Sequence, residues 1–180
     1  MAAGPAWAAT DLSAFVSQVA LESITELSKA APTDQARAAV LKPVLLKYFD
    51  MAGIAKHTLG AYWKKIDAGQ QQQYVDQFVN YIASIYGKRF SEYQGQQIEV
   101  KRVRDLGATA TVFTKVAGGD GARIDWEMSN DGGRPLIEDI KVEGLSLADT
   151  HRQEFISVMS QHNGDITALM NIMKSKSLVN

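Results

Sequence analysis

A change of period constrains this chain more than any other feature. Up to about Tyr93 the apolar residues recur at helical spacing, beyond Gly95 they alternate, and from about Ala148 the helical spacing returns. In the alternating part, Ile98, Val100 and Arg102 interleave with Glu99, Lys101 and Val103. Further strand-like runs follow over Ala108 to Val116, Arg123 to Met128 and Leu136 to Val142. Turns such as Gly118-Gly119-Asp120-Gly121 and Asn130-Asp131-Gly132-Gly133 separate them, the chemistry of an antiparallel meander. Ile124, Trp126 and Met128 share one face of the third run and Asp125 and Glu127 the other, so one sheet face is apolar and one is wet. Helices before and after a single sheet must cover that apolar face. The expected fold class is therefore α+β, a four-stranded antiparallel meander with N- and C-terminal helices over one face. At 180 residues, with no linker or repeat, one domain is expected over 1–180.

The helices read as follows. Thr10 and Asp11 are candidate caps for a helix carrying Phe15, Val19, Ile24 and Leu27, which Ala31-Pro32 ends. A second starts at Thr33-Asp34, and Pro43 inside it predicts a kink or a break. Short pieces over Met51 to Leu59 and Ala61 to Ile66 are separated by Gly60. A long helix runs from Gln70 to about Tyr93, with Tyr74, Phe78, Ile82, Ile85, Tyr86 and Phe90 on an arc too wide for one flat partner. Such an arc fits either a fully buried helix or one lining a cavity. The last two helices are expected from Ala148 to His162 and, after Gly164, over Ile166 to Met173.

Several function classes fall away. The net charge is −1 with the basic residues dispersed, so the footprint of a nucleic-acid binder is absent. There is no cysteine, hence no disulfide, thiolate metal site or cysteine nucleophile. His57, His151 and His162 lack metal-site spacing, and no GxSxG, phosphate loop or paired-Asp calcium loop occurs. No apolar run approaches the roughly 20 residues of a membrane span, so solubility is expected. Ala6-Trp7-Ala8 has the small-x-small form of a signal-peptidase site without the preceding apolar region, so residues 1–9 are expected to be a disordered remnant of signal-peptide removal.

Two polar groups invite a role. Glu138-Asp139 with Glu143 forms an acidic cluster on the fourth strand. Strict alternation points Glu138 inward, which a bulge would relieve; otherwise Glu138 or Asp139 could serve as a general acid/base in a cone-shaped pocket. Lys56, Lys64, Lys65, Lys88 and Arg89, on helices otherwise rich in aromatic residues, either solubilise the surface or meet a phosphate head group at a pocket mouth.

Three segments in order, Tyr48 to Lys65, Gln71 to Val100 and Val142 to Met159, resemble the MlaC, or toluene-tolerance, family of bacterial periplasmic lipid carriers. The third, with the strand that leads into it, carries the family's pattern Asp-x-x-Val-x-Gly-x-Ser followed by Arg-x-x-Phe as Asp139, Val142, Gly144, Ser146, Arg152 and Phe155. The form HRQEFISVMSQHNGDITALM is most similar to the branch found beside hopanoid-biosynthesis genes. Arg134-Pro135-Leu136 stands where family members commonly carry an aromatic residue, a departure expected to alter the pocket rim. The resemblance implies a monomeric, non-enzymatic periplasmic carrier without cofactor or metal. It would hold phospholipid or a hopanoid-type lipid between sheet and helices. Its implied partners are an inner-membrane ABC transporter complex and an outer-membrane lipoprotein complex.

On that reading the lipid-binding wall is expected from Phe49, Ile54, Leu59 and Trp63, from Phe78, Ile82, Ile85 and Tyr86, from Val112, Ile124, Trp126, Ile140, Val142 and Leu145, and from Phe155 and Met159, about half of them touching ligand. Ser146 or Asp149 is expected to cap the helix after Gly144, and Arg152 to pair with Asp139 or Glu143.

Overall fold

The computed structural model describes residues 7–89, 97–118, 121–130 and 133–177. Six α-helices and five strands follow one another as α1 (Ala9–Lys29), α2 (Asp34–Tyr48), α3 (Met51–Leu59), a 3-10 turn (Gly60–Lys65), α4 (Ala68–Arg89), β1 (Ile98–Asp105), β2 (Thr109–Val116), β3 (Arg123–Ser129), β4 (Ile137–Val142), β5 (Leu145–Ser146), α5 (Leu147–Gln161) and α6 (Ile166–Lys176). The sheet is an antiparallel meander in the order β1-β2-β3-β4-β5. The fold is α+β as the periods require, with a fifth strand of two residues added. The expected extension of α4 through Phe90 to Tyr93, and parts of the turns at Gly119-Asp120 and Asp131-Gly132, lie outside the described residues.

Register fixes the faces. Val112 pairs with Trp126, and Trp126 with Ile140, which sets these three in one row. Phe113, Asp125 and Lys141 form the neighbouring row on the opposite face. Between Glu127 and Met128 the β3–β4 register shifts, so Glu138 is the extra residue of a bulge and the inward carboxylate is avoided. Glu143 and Gly144 both have positive φ, 50° and 82°, the conformation of a two-residue type I′ hairpin, and this reverses the chain into β5.

Local signals account for most helix ends. The Thr33 hydroxyl accepts from Ala36 N, the Asp50 carboxylate from Gly53 N, and the Ser146 hydroxyl from Asp149 N. Two expectations change. α1 begins at Ala9 with Ala8 as an N-cap that makes no side-chain bond, so Asp11 stands in the first turn, where its charge favours the helix dipole. α2 runs unbroken through Pro43, which is exposed along with Ala39, so the carbonyl left unpaired by proline can reach water. At the start of the described residues, Trp7 N donates to the Asn130 side chain, which donates back to Trp7 O.

Two close approaches organise the helices. At Gly87 in α4, a Cβ would lie 2.9 Å from the backbone nitrogen of Ala38 in α2, so only glycine allows this crossing. Gly→Ala inside a helix ordinarily gains about 1 kcal/mol, but backbone overlap costs about 1–3 kcal/mol. Gly87→Ala is expected to lower stability by up to about 2 kcal/mol in urea titration, and a rise in stability would contradict the crossing. On the other flank, Phe155 (α5) sits among Tyr74, Phe78 and Tyr81 of α4, with ring centroids 5.6–6.5 Å apart.

Candidate functional site: an apolar cavity between helices and sheet

Where the inner sheet face meets α1, α2, α4 and α5, the side chains do not close. They leave a cavity of about 460 Å³, within the ~300–1,000 Å³ range of ligand pockets. Val19, Leu41, Val44 and Leu45 wall it from α1 and α2, Met51 and Ile54 from α3, and Phe78 and Ile82 from α4. The sheet contributes Ile98, Val116, Ile124, Trp126 and Ile140, and Phe49 precedes α3.

Ile98, Val116 and Ile124 are half-buried and lie at the sheet end where β1 and β3 begin. Ala20, Ser23 and Ile24 of α1 and Leu147 of α5 are half-buried too, and the cavity opens there. Polar side chains are few: Ser23, Arg89, Asp139, His151 and the Tyr86 hydroxyl. The Trp126 indole, which would otherwise add a bare donor, gives its Nε1 hydrogen to Thr114 Oγ1 at 3.1 Å. The wall can therefore exclude water and grip an apolar body. Among the described residues no cluster could hold a metal ion.

The polar groups have structural partners. Asp139 Oδ1 accepts from Ile140 N at 2.9 Å and Ala148 N at 3.0 Å, which joins β4 to the start of α5. That engagement, with Glu138 exposed on its bulge, argues against either carboxylate as a free acid/base. Arg152 does not reach Asp139 or Glu143: its Nη1 donates to His57 O at 2.6 Å, tying α5 to the C-terminal turn of α3. Its guanidinium fills the space beside Gly60, whose φ of 54° and missing Cβ make room for it. Glu143 instead accepts from Arg123 N. His57 Nε2 meets Asp149 Oδ1 at 2.7 Å and adds to the α3–α5 tie.

His151 is 8% exposed, and its Nε2 lies 3.1 Å from the Tyr86 hydroxyl. Burial depresses the imidazole's pKa; nearby Glu154 opposes this, and Arg89 and Lys176 reinforce it. Burial likewise raises the Tyr86 hydroxyl's pKa. A histidine ionises near 6.5 when unfolded. With the folded value lower, the unfolded chain binds more protons as pH falls through about 6.5, so the fold loses stability toward acid. One such group contributes a slope of at most about 1.4 kcal/mol per pH unit. Urea titrations at pH 7.5 and 5.5 are expected to show a drop that His151→Gln reduces; an equal drop in both proteins would contradict a neutral buried His151.

Eight of the sixteen expected wall residues lie on the cavity: Phe49, Ile54, Phe78, Ile82, Tyr86, Ile124, Trp126 and Ile140. Leu59, Val112, Phe155 and Met159 are instead buried in the close-packed core. Trp63 and Ile85 pack against that core half-buried, Val142 is half-buried at its strand end, and Leu145 is 72% exposed because the hairpin turns it outward. Arg134-Pro135-Leu136 does not touch the cavity; the Arg134 guanidinium donates to Lys47 O. The cavity residues of α1 and α2, with His151, carry no signal in the sequence that separates them from ordinary core or surface; of the basic residues for which the sequence offered a pocket-mouth role, Arg89 lines the cavity.

Beside the cavity a second, polar groove of about 380 Å³ runs between α3, β4 and α5, sharing Ile54, Asp139 and Ala148 with it. No described helix is long and apolar enough to cross a membrane.

The fold has a counterpart. A solved structure, the phospholipid-binding protein from Ralstonia solanacearum in complex with a phospholipid, superposes with a TM-score of 0.79 over 91% of this chain and 95% of that one, at 19% identity. The toluene tolerance protein ttg2D of Pseudomonas putida is 28% identical over 131 residues, 71% of this chain and 59% of that protein. The intermembrane phospholipid transport system binding protein MlaC of Haemophilus influenzae is 21% identical over 145 residues, 77% of this chain and 67% of its own length. These relatives do not single out the hopanoid-associated branch. The model of the family described as MlaC protein matches residues 16–175, nearly the whole chain, and this chain belongs to that family.

Proposed function

We propose that the protein is a non-enzymatic carrier that encloses the acyl chains of a phospholipid in the cavity and passes the lipid between membrane-bound complexes across the periplasm. The observation that carries this reading is the cavity itself, open at one end and walled almost wholly by aliphatic and aromatic side chains. Family membership, the phospholipid-transport relative and the phospholipid-bound structure support the same cargo.

The physics of carrying fits such a wall. Burying a methylene gains about 0.8 kcal/mol, so a two-chain lipid with roughly thirty of them cannot travel free in water. A bilayer offers a similar gain. Apolar walls of roughly matched affinity suffice for exchange, and direction comes from the partner complexes. Acyl chains require no fixed hydrogen-bond geometry, which explains why residues such as Met51, Ile82 and Trp126 form the site without a catalytic group.

The test is transfer. Donor vesicles carrying labelled phospholipid, mixed with unlabelled acceptor vesicles, are expected to exchange label in proportion to added protein. A rate no faster than without protein would sink the carrier reading. Vesicles carrying a hopanoid in place of the labelled phospholipid test the finer cargo suggested by the sequence.

A further inference from the structure

Cargo selection is open in this reading, because apolar walls grip any acyl chain. The groups that could discriminate sit together at the C-terminal end of α4 and the first turns of α5. Arg89 lines the cavity with its guanidinium carbon 5.4 Å from the centre of the Tyr86 ring. Tyr86 is hydrogen-bonded to His151, and all three residues line the cavity.

Most cations around this region are already engaged. Lys141 is bound to Glu127 at 2.6 Å, Arg123 to Asp125 at 3.3 Å, Lys176 to Glu154 at 3.0 Å, and Arg152 to the His57 carbonyl. Arg89 has no carboxylate partner among the described residues. At the cavity wall its charge is therefore uncompensated by a direct ion pair among the described residues. The nearby anions are Asp139, held by two backbone amides, and Glu154, held by Lys176.

The Tyr86–His151 pair contributes a second observation. A neutral imidazole and a phenol hold two donor hydrogens between them, and the bond joining them uses one. If Tyr86 donates, His151 keeps a hydrogen on Nδ1, a buried atom with no hydrogen-bond partner; its nearest carboxylate oxygen, on Glu154, is 3.9 Å away. If His151 donates from Nε2, the Tyr86 hydroxyl hydrogen remains, and no described acceptor takes it. With the hydrogen on Nδ1 the spare donor lies buried toward Glu154; with it on Nε2 the spare donor is the Tyr86 hydroxyl, near the guanidinium on a wall otherwise poor in polar groups.

An anionic oxygen cluster satisfies the guanidinium together with the Tyr86 hydroxyl, His151 donating to that hydroxyl from Nε2. The geometry points to a phosphate-ester subsite formed by Arg89 and the Tyr86–His151 pair, which holds the phosphate of a lipid head group and favours phosphorus-containing lipids over two-chain lipids that lack phosphate. Arginine is suited to the task, since its planar fork of donors matches phosphate oxygens. The acyl chains supply affinity and the phosphate supplies the choice, as polar groups in a mostly apolar pocket commonly do. This subsite rests on the carrier reading above.

The experiment separates the two claims. The full chain is equilibrated with vesicles of equimolar phosphatidylcholine and digalactosyldiacylglycerol with matched acyl chains. Both lipids are uncharged overall, so long-range attraction favours neither. Protein-bound lipid is then extracted and quantified by mass. The wild-type protein is expected to enrich the phospholipid on the order of tenfold, and Arg89→Gln, with its folding checked by its unfolding midpoint, to bring the ratio near one. Tyr86→Phe is expected to fall between them.

Uptake of both lipids in equal amounts by the wild type, or a ratio unchanged in Arg89→Gln, would overturn the subsite while leaving the carrier standing. Uptake of neither would overturn both. Inorganic phosphate, titrated onto lipid-free protein, is expected to give no saturable binding. Binding that Arg89→Gln abolishes would assign the site to free phosphate instead of a lipid head group.

Discussion

Phe155→Ala is expected to cost about 3–5 kcal/mol of folding stability. The ring is 2% exposed and packs edge-on against Tyr74 and Phe78, tilted against Tyr81, with His151 one turn before it on α5. Its loss removes the transfer energy of a buried aromatic and leaves a void that stiff neighbouring rings cannot fill. Tyr74 is further pinned, because its hydroxyl shares a 2.7 Å hydrogen bond with Thr58 Oγ1. The consequence reaches the cavity, since α5 carries Leu147, Ala148 and His151 and depends on this cluster for its seat on α4. Urea unfolding is expected to show a midpoint shift at nearly constant slope. A loss under about 1 kcal/mol would mean that the cluster is not the keystone of the α4–α5 packing.

The second large effect is on cargo. Ala20 lies on α1 at the mouth of the cavity, half-buried beside Val19, Ser23 and Ile24. An indole at this position enters space that is empty of protein, so Ala20→Trp is expected to keep the fold within about 1 kcal/mol while lowering bound lipid tenfold or more. Ala14→Trp is the control, with the same bulk on an exposed position of the same helix. Equal lipid uptake in Ala20→Trp and wild type would contradict the assignment of this cavity to lipid.

Much of this architecture was legible because period reports geometry directly. The strands from Ile98 to Val142, the separate pieces over Met51–Leu59 and Gly60–Lys65, and the Ser146 cap all follow from spacing and turn chemistry. The site was legible only in part. A residue facing a cavity and one facing close-packed core share the same spacing, so Val19, Leu41 and Val44 read as core, and nothing marked them as wall. His151, Phe155 and Met159 form one i, i+4 stripe on α5. Only His151 reaches the cavity, while the other two go into the aromatic core, because the stripe passes from the mouth to the packed interior.

Arg152 shows a different limit. Its charge suggested a carboxylate, but helix placement brought it to the carbonyl of His57, 95 residues away in sequence. Leu145 turned outward because two successive left-handed residues reversed the strand before it. Tertiary geometry decided each of these, and a single sequence does not record it.

The most direct measurement on the central claim is native mass spectrometry of the full-length chain after incubation with phospholipid vesicles, with bound species released and identified. The account predicts a stoichiometric mass increment that releases as intact phospholipid and is greatly reduced in Ala20→Trp. A bare protein mass throughout, from a protein shown to be folded, would contradict it.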